Sequence, residues 1–441
     1  MALPPGWTAP RIGDVAHLQL GKMLDKVKNT EGRAMPYLRN INVRWFRLDL
    51  EDLLEMRFTE SEAEKFEIQD GDVLVCEGGE PGRAAVWRGG STAIKFQKAI
   101  HRIRPSDSIL SDWITFFLRS AANDGTLQQH FTGTTIKHLP AQALGSIEIP
   151  VPPLAEQRRI VARIEALFAR TRRARADLER VAPLSKRYRE ACTERAYEGD
   201  AASGWPRMPL GYLADVKSGL TLGKRYAADT VLVERPYLRV ANVQRGHLKL
   251  DEVKTIRLPP AEAERLTLQP GDVLMNEGGD RDKLGRGWFW QGEVPDCIHQ
   301  NHVFRVRLRD GRISPRFLSR YANHFGQRYF LDEGKQTTNL ASISMSKVAA
   351  LPVPLPPPGM AAVVDAALDR AEQTERSVIQ EAKRSLALLD RLEQSILAKA
   401  FRGELVPQNP SDEPAESLLT RLADLDRSPA RKPRALRGRA A

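Results

Sequence analysis

The sequence predicts a duplicated protein in which two mixed α/β (α+β) domains, here called heads, are each followed by a long helix. Three observations lead to this fold class. Two motifs recur about 200 residues apart, each copy mixes short apolar runs with glycine and proline, and each copy closes on an apolar heptad pattern. The two long helices are expected to pack antiparallel as a coiled-coil spacer, related by a pseudo-twofold axis.

The repeat is clearest in two segments of each head. Tyr37–Val43 returns as Tyr237–Val243, and Gly71–Gly79 returns as Gly271–Gly279. Weaker matches keep the same order: Gly6-Trp7 with Gly204-Trp205, Gln97 with Gln300, Thr134-Thr135 with Thr337-Thr338, Ile149–Pro152 with Leu351–Pro354, and Ala196–Gly199 with Ala400–Gly403. So long a period indicates a repeated domain rather than a solenoid unit.

Within the heads, short strands and helices follow from local patterns. Val73–Val75 and Val273–Met275 are apolar runs after a Gly-Asp turn, which predicts strands. His101–Arg104 and Val303–Leu308 alternate apolar and basic residues, as half-buried strands do. Two short helices carry aromatic residues at helical spacing, namely Asp112–Ser120 and Pro315–Ala322.

After each head the pattern changes to that of a long helix. Pro152-Pro153 stands before a run of helix formers. The predicted seam of the first helix is Ile160, Ile164, Leu167, Thr171, Ala174, Leu178, Val181, Ser185, Tyr188 and Cys192. That of the second is Val364, Leu368, Ala371, Glu375, Val378, Ala382, Ser385, Leu389, Leu392 and Ile396. Pro183 is expected to break or kink the first helix near Val181. The alternative is two unrelated amphipathic helices, each packed on its own head.

These patterns divide the chain into five parts. They are a first head at 1–148, a central helical spacer at 149–200, a second head at 201–350, a distal helical spacer at 351–405, and a basic tail at 406–441 that is expected to lack fixed structure. The tail ends in fifteen residues, 427–441, that hold six basic side chains and no acid, in a chain whose net charge is +11. It would add nonspecific attraction to phosphates or serve only as a solubilising end.

Composition is that of a globular protein, with 41% hydrophobic and 28% charged residues. No signal peptide and no membrane-spanning run is visible. Cys76, Cys192 and Cys297 are too widely spaced for a disulfide framework or a zinc site, which favours a reducing cytoplasm.

Two segments resemble a known family. Ile149–Val161 and Ser395–Val406 are similar to signatures of the specificity subunits of type I restriction–modification systems, where the first opens the central spacer helix and the second closes the distal one. The resemblance covers roughly residues 6–420 and includes the head–helix–head–helix order. The second spacer departs from it, because it starts with Pro356–Gly359 and lacks the Ala155–Arg158 segment of the first.

The resemblance implies a function. Each head would be a target recognition domain that reads one half of a split, asymmetric site on double-stranded DNA. The spacer would seat two methyltransferase subunits, and two restriction subunits with motor and nuclease activity would join them. S-adenosylmethionine, ATP and Mg are implied for those partners, and no cofactor is expected in this chain.

The motifs of those reactions are missing from the sequence, so the chain is predicted to be non-catalytic. It has no phosphate-binding loop of the GxxxxGK type, and Gly285–Gly287 is only a fragment of a dinucleotide motif. His299, His302 and Cys297 raise the idea of a metal site. We predict none, because Phe96 and Ala99 occupy the matching positions of the first head.

Base edges are read mainly by Arg, Lys, Asn and Gln, so DNA contacts are predicted where such residues cluster with glycine. In the first head the candidates are Arg83, Lys95, Gln97, Lys98, Thr134, Thr135 and Lys137. In the second head they are Arg281, Lys283, Arg286, Gln300, Asn301, Lys335, Gln336 and Thr337. Recurring residues favour a scaffold role, so Asp72, Asp272, Asn42 and Asn242 are interpreted as turn or strand ends. Positions that differ between copies, such as Lys98 against Asn301, are the better specificity candidates.

Two other functions are consistent with parts of the sequence. A coiled-coil scaffold joining two protein-binding heads would need no DNA role. A self-contained modification enzyme is disfavoured by the missing cofactor motifs.

Overall fold

The computed structural model describes residues 3–25, 30–90, 93–279, 283–336 and 341–427, and it divides into two compact units. Unit 1 comprises Met1–Leu178 and Arg384–Ala441, and unit 2 comprises Glu179–Lys383. Each unit therefore contains one head together with parts of the long helices.

The first head has a four-stranded antiparallel sheet with the strand order Ala16–Leu20, Ile100–Pro105, Val73–Cys76 and Ala84–Val86. A three-stranded sheet has the order Leu54–Phe58, Arg33–Leu38 and Lys95–Phe96, and a hairpin pairs Val43–Arg44 with Arg47–Leu48. The helices are Ile12–Val15, Glu60–Lys65, Ser111–Asn123 and Ala141–Gly145, with 3-10 turns at Asn40–Asn42 and Thr126–His130.

The second head has the same three sheets in the same orders. They are Ala214–Lys217, Val303–Leu308, Val273–Asn276 and Gly287–Phe289; then Lys254–Leu258, Val233–Leu238 and Ile298–His299; and the hairpin of Val243–Gln244 with His247–Leu248. Two small sheets are added, Gly278–Gly279 with Ala341–Ser342 and Lys335–Gln336, and Arg207–Pro209 with Pro352–Pro354. The helices are Leu210–Leu213, Pro260–Leu266, Pro315–His324, Gly326–Glu333 and Met345–Ala349.

The apolar strand Val73–Cys76 is buried on both faces. Val73 and Val75 belong to the main core of unit 1, whereas Leu74 and Cys76 belong to a second, smaller core. A strand covered on both sides needs a continuous apolar run instead of alternation, which is why an apolar run, Val73–Val75 and Val273–Met275, recurs in both heads.

The recurring polar residues are scaffold, as the sequence indicated. Asp72 accepts a hydrogen bond from the Gln69 amide at 2.7 Å and a two-point contact from Arg104, and its side chain is almost fully buried. Asn42 accepts from the Arg39 amide and donates to two carbonyls of the following turn. Asp272 and Asn242 make the matching contacts in the second head.

The long helices run from Leu154 to Glu179, from Val181 to Glu198, and from Met360 to Phe401. The interruption at Arg180 lies where Pro183 was predicted to act, because proline lacks the amide that would bond back to residue 179. None of the helices in the described part of the chain has the length and apolar character needed to cross a bilayer.

Four predicted seam positions are wrong, because Ala174, Tyr188, Val378 and Leu392 are exposed. In all four cases the next residue along the chain is half-buried instead: Arg175, Arg189, Ile379 and Glu393. A strict repeat of seven residues drifts around a helix of 3.6 residues per turn, so a seam extrapolated from one end loses its register.

The predicted tail is also partly wrong, because residues 406–427 are folded and include the helix Ala415–Arg427. Ala415 is buried in the core of unit 1, and its amide donates to the Gly6 carbonyl at 3.0 Å. The Asp412 carboxylate lies 2.6 Å from the Arg159 guanidinium. The basic residues that suggested disorder are concentrated after this helix, in residues outside the described part.

Candidate nucleic-acid interface

The Gly-Gly segment of the first head is held tightly by its neighbours. Gly79 has a φ of +80°, and a Cβ at this position would lie 2.6 Å from the Asn40 side-chain nitrogen. That nitrogen donates to the Gly78 carbonyl at 3.3 Å. Only glycine fits this conformation and this close approach.

Arg83 was predicted to contact DNA, but in the structure its side chain bonds to residues of the first head. Its guanidinium donates to Glu80 at 2.8 Å and to the Asn40 carbonyl at 2.9 Å, and the side chain is largely buried. Arg286 reaches the Val240 carbonyl at 3.5 Å, the corresponding point of the second head. Both arginines therefore stabilise the same turn, because each guanidinium donates to a backbone carbonyl of its own head.

Lys95 is only 4% exposed, and burial lowers the pKa of its ammonium. Gln97 and Lys98 are half-buried, and their backbone N–H groups donate to the carbonyls of Leu38 at 3.1 Å and Lys22 at 2.8 Å, respectively. Gln300 and Asn301 are also half-buried and make the matching contacts to Leu238 and Leu220, both at 2.9 Å. The pairing of Lys98 with Asn301 inferred from the repeat is thus confirmed by geometry.

The remaining candidates of the first head share one exposed loop. Thr134, Thr135 and Lys137 lie between Thr132 and His138, which pair as an isolated β-bridge. His138 also pairs with Gly78, so the loop stands directly beside the Gly-Gly segment. The structure brings these three side chains together on the surface, apart from the buried Lys95.

The second head has a comparable arrangement. Gly278–Gly279 pairs with Ala341–Ser342, which pairs in turn with Lys335–Gln336. Lys283 is half-buried and engaged in contacts. The candidates Arg281 and Thr337 lie outside the described residues.

No cluster of three or more metal-ligating side chains occurs within the described ranges. Burial lowers the pKa of His299 to about 4, although the bond from its Nδ1 to the Val303 carbonyl opposes that shift. His302 Nδ1 lies 2.6 Å from Glu277. His299 stands in the strand position that Phe96 occupies in the first head, which fits a core residue.

In unit 1, the first long helix is fastened to the head through the Ala155–Arg158 signature. Gln157 is fully buried, donates to the carbonyls of Ser108 and Pro152, and accepts from the Leu110 amide. Glu156 accepts a hydrogen bond from the Trp7 indole at 3.2 Å, and burial raises its pKa. The signature is therefore a structural clamp between head and helix.

Unit 2 lacks this signature, and its head is joined to the long helix by salt bridges instead. Arg320, on the helix Pro315–His324, donates to Asp369 at 2.6 Å, Glu372 at 2.9 Å and Asp365 at 3.2 Å. Its side chain is only 6% exposed. At the corresponding place in unit 1, Phe116 and Phe168 are in ring contact at 5.8 Å.

Within each unit the long helices lie side by side and antiparallel, as predicted. In unit 1, Thr171 donates to Glu393 and Arg175 pairs with Asp390. Residue numbers therefore increase along one helix and decrease along the other in the same direction. In unit 2, Arg189 pairs with Glu375 at 2.7 Å, while Tyr197 shares a core with Val364.

Each unit also exposes a pair of large apolar side chains on these helices, one turn apart. The pairs are Leu184 and Tyr188 in unit 2, 54% and 53% exposed, and Leu388 and Leu392 in unit 1, 59% and 49% exposed. Each pair lies the same number of residues before the matched Ala196–Gly199 and Ala400–Gly403 segments. The sequence interpretation missed the pairs, because it assigned Tyr188 and Leu392 to the seam.

Comparison with known proteins bears on this arrangement. Residues 4–180 match the type I restriction modification DNA specificity domain. The chain is 24% identical over 437 residues to the type I restriction enzyme EcoKI specificity subunit of Escherichia coli (strain K12), covering 93% of this chain and 92% of that protein. It is 24% identical to the StySPI specificity subunit of Salmonella potsdam over 432 residues, with the same coverage.

Two solved structures have a similar fold. A chain from work on complex assembly and conformational transition of the type I R-M system aligns with a TM-score of 0.65 at 22% identity, covering 92% of this chain and 100% of that one. The HsdS subunit from Thermoanaerobacter tengcongensis aligns with a TM-score of 0.57 at 21% identity, covering 92% and 99%.

Proposed function

We propose that this chain, which belongs to the specificity subunits of type I restriction–modification systems, reads a bipartite, asymmetric DNA sequence with its two heads. The observation that carries the proposal is a shared scaffold with different side chains at matched positions. Asp72 and Asp272 make matching internal contacts, whereas Lys98 and Asn301, both half-buried, differ at one matched position. Two copies of one scaffold that differ in such side chains suit a protein that reads two different half-sites.

The contacts divide the candidate residues into two roles. Arg83 and Arg286 make contacts within their own heads and Lys95 is buried, so these three residues are not the first choice for base contacts. Thr134, Thr135 and Lys137 are exposed on an anchored loop, so we assign DNA contacts in the first head to them. A hydroxyl can donate and accept, so it can contact donor or acceptor groups on the base edges, and a lysine beside it can contact a phosphate.

Catalysis is assigned to partner subunits. In the proposed complex, two methyltransferase subunits use S-adenosylmethionine, and two restriction subunits use ATP and Mg. This chain supplies sequence recognition and seating in the cytoplasm, where its three free cysteines would stay reduced.

The test begins by mapping methylated adenines in the host genome with and without this gene, which gives the target sequence. Duplexes with the complete site, with either half-site alone, and with random sequence are then titrated with the chain and its methyltransferase. We expect each half-site to bind at least about tenfold more weakly than the complete site, because each lost base pair costs roughly 1–3 kcal/mol. Binding should weaken steeply with salt. Equal affinity for half and complete sites would contradict the two-headed proposal.

The exposed apolar pairs are proposed as two equivalent seats for the methyltransferase subunits. An apolar patch of this kind on a charged helix marks an interaction surface, and a matched position in both copies suits two copies of one partner. We expect Leu392→Glu to cause the loss of one methyltransferase copy, and Tyr188→Glu combined with Leu392→Glu to cause the loss of both. At each substituted seat the affinity for the methyltransferase should fall at least about tenfold.

Native mass spectrometry of the reconstituted complex gives the number of bound copies. The matched control is Val363→Glu, which changes another exposed apolar residue of the distal helix and should leave two copies bound. A double variant that still binds two copies would contradict the seats, and so would an equal loss caused by the Val363 change.

A further inference from the structure

The loop beside the Gly-Gly segment has a rigid base. The amides of Thr132 and His138 each donate to the carbonyl of the other, at 2.8 and 2.9 Å. The Leu139 amide donates to the Glu77 carbonyl at 2.8 Å, and the Leu139 carbonyl lies 2.8 Å from Nε2 of the buried His101. These bonds tie the base of the loop to the strands of the first head.

The tip of the loop is equally constrained. Gly133 has a φ of +86°, and a Cβ there would lie 2.2 Å from the Ile136 carbonyl oxygen. The loop therefore closes only with glycine at this position. Its tip presents Ile136, which is 66% exposed and stands between the exposed residues Thr135 and Lys137.

Ile136 is an aliphatic group on a preorganised loop whose neighbours are hydroxyls and a cation. A preformed loop loses little conformational entropy on binding. In the major groove, the one apolar feature that distinguishes base pairs is the 5-methyl group of thymine. An exposed isoleucine among polar side chains matches that feature, and the cation of the neighbouring Lys137 is of the kind that contacts phosphates.

We propose that Ile136 reads the 5-methyl group of a thymine in the half-site of the first head. The proposal rests on the DNA-reading function above. The sequence of the second head supports a reading role for this position, because its matched Thr337-Thr338 pair is followed by Asn339 in place of isoleucine. The paired base of the loop recurs, whereas the sequence differs at the position after the Thr-Thr pair, as expected where two heads read different bases.

The experiment uses the full chain with its methyltransferase and the complete target duplex. Thymines in and beside the first half-site are replaced one at a time by deoxyuridine, which lacks only the methyl group. We expect one replacement to weaken binding by wild type roughly fivefold, the effect of losing about one buried methyl contact. Ile136→Ala should weaken binding to the thymine duplex by a similar factor. This variant should bind the thymine and the deoxyuridine duplexes with equal affinity.

Two variants of the same head serve as controls. Leu54→Ala removes another exposed aliphatic side chain and should keep the full response to deoxyuridine. Lys137→Ala should weaken binding to thymine and deoxyuridine duplexes alike and reduce the salt dependence.

The two possible failures are distinguishable. If wild type discriminates the complete site from random DNA but Ile136→Ala keeps the same response to deoxyuridine as wild type, the role of Ile136 is overturned while the DNA-reading function stands. If wild type shows no discrimination between complete and random duplexes, the proposed function itself fails.

Discussion

Replacing Arg320 with methionine is expected to lower the free energy of unfolding of unit 2 by about 3 kcal/mol. Arg320 is nearly buried and contacts Asp365, Asp369 and Glu372. Methionine fills much of the apolar volume but leaves three carboxylates without their shared cation. Removing one partner of a buried ion pair leaves charge that is neither hydrated nor compensated, which costs roughly 3–5 kcal/mol, and the partial exposure of Asp369 favours the low end.

Hydrogen exchange of the amides in Pro315–His324 and Met360–Lys383 reports this loss for unit 2 by itself. The matched control is Arg316→Met. Arg316 also pairs with Asp369 at 2.6 Å, but its side chain is 37% exposed. Exposed ion pairs contribute at most about 1 kcal/mol, so the control should change little. Equal losses in the two variants would mean that burial of Arg320 does not determine its contribution.

Acidification from pH 7 to pH 4 is expected to lower the stability of unit 2 by about 3 kcal/mol through His299 alone. Burial holds the pKa of His299 near 4 in the folded protein. In the unfolded chain the pKa returns to about 6.5, so the unfolded state binds more protons between these values. Stability is therefore complete above pH 6.5 and is lost as the pH falls toward 4. Each pKa unit corresponds to about 1.4 kcal/mol.

The matched variant is His299→Phe, which installs the residue that the first head carries at this strand position. We expect its amides in Val303–Leu308 to keep most of their protection against hydrogen exchange at pH 4.5. Burial also lowers the pKa of His101 in unit 1, so only amides of unit 2 are informative. If the variant and wild type lose protection in parallel across this range, His299 is not the group responsible.

The candidate residues show what sequence reasoning could and could not place in the fold. Arg83 and Arg286 were assigned to DNA because basic residues follow the Gly-Gly segments. The same recurrence that identified Asp72 as scaffold applies to these arginines, and used consistently it would have identified them as internal contacts. Thr134, Thr135 and Lys137 were predicted together from a polar segment of the sequence, and the structure places them on one exposed loop, while their contact with DNA is our proposal. Ile136 was overlooked, since isolated isoleucines are usually core residues.

The exposed apolar pairs illustrate a different limit. Periodicity located the long helices, yet the assignment of Tyr188 and Leu392 to the seam was wrong. Which apolar residue faces a neighbouring helix depends on the local register, and polar residues such as Arg175 and Glu393 take inward positions through specific pairs. No periodic pattern contains the position of the opposing helix.

The duplication, the order of heads and long helices, the break near Pro183 and the scaffold role of the recurring aspartates could be predicted from the sequence. These properties follow from spacing along the chain, because turns, strands and helical periodicity are local. Which side chains are buried, how each head is fastened to its helix, and the folding of the segment after Val406 onto unit 1 are visible only in the folded protein. Arg320 meeting three carboxylates about 50 residues away, and Asp412 meeting Arg159, depend on contacts between distant segments. Burial and pairing of that kind arise only when the chain is folded, so composition and spacing do not reveal them.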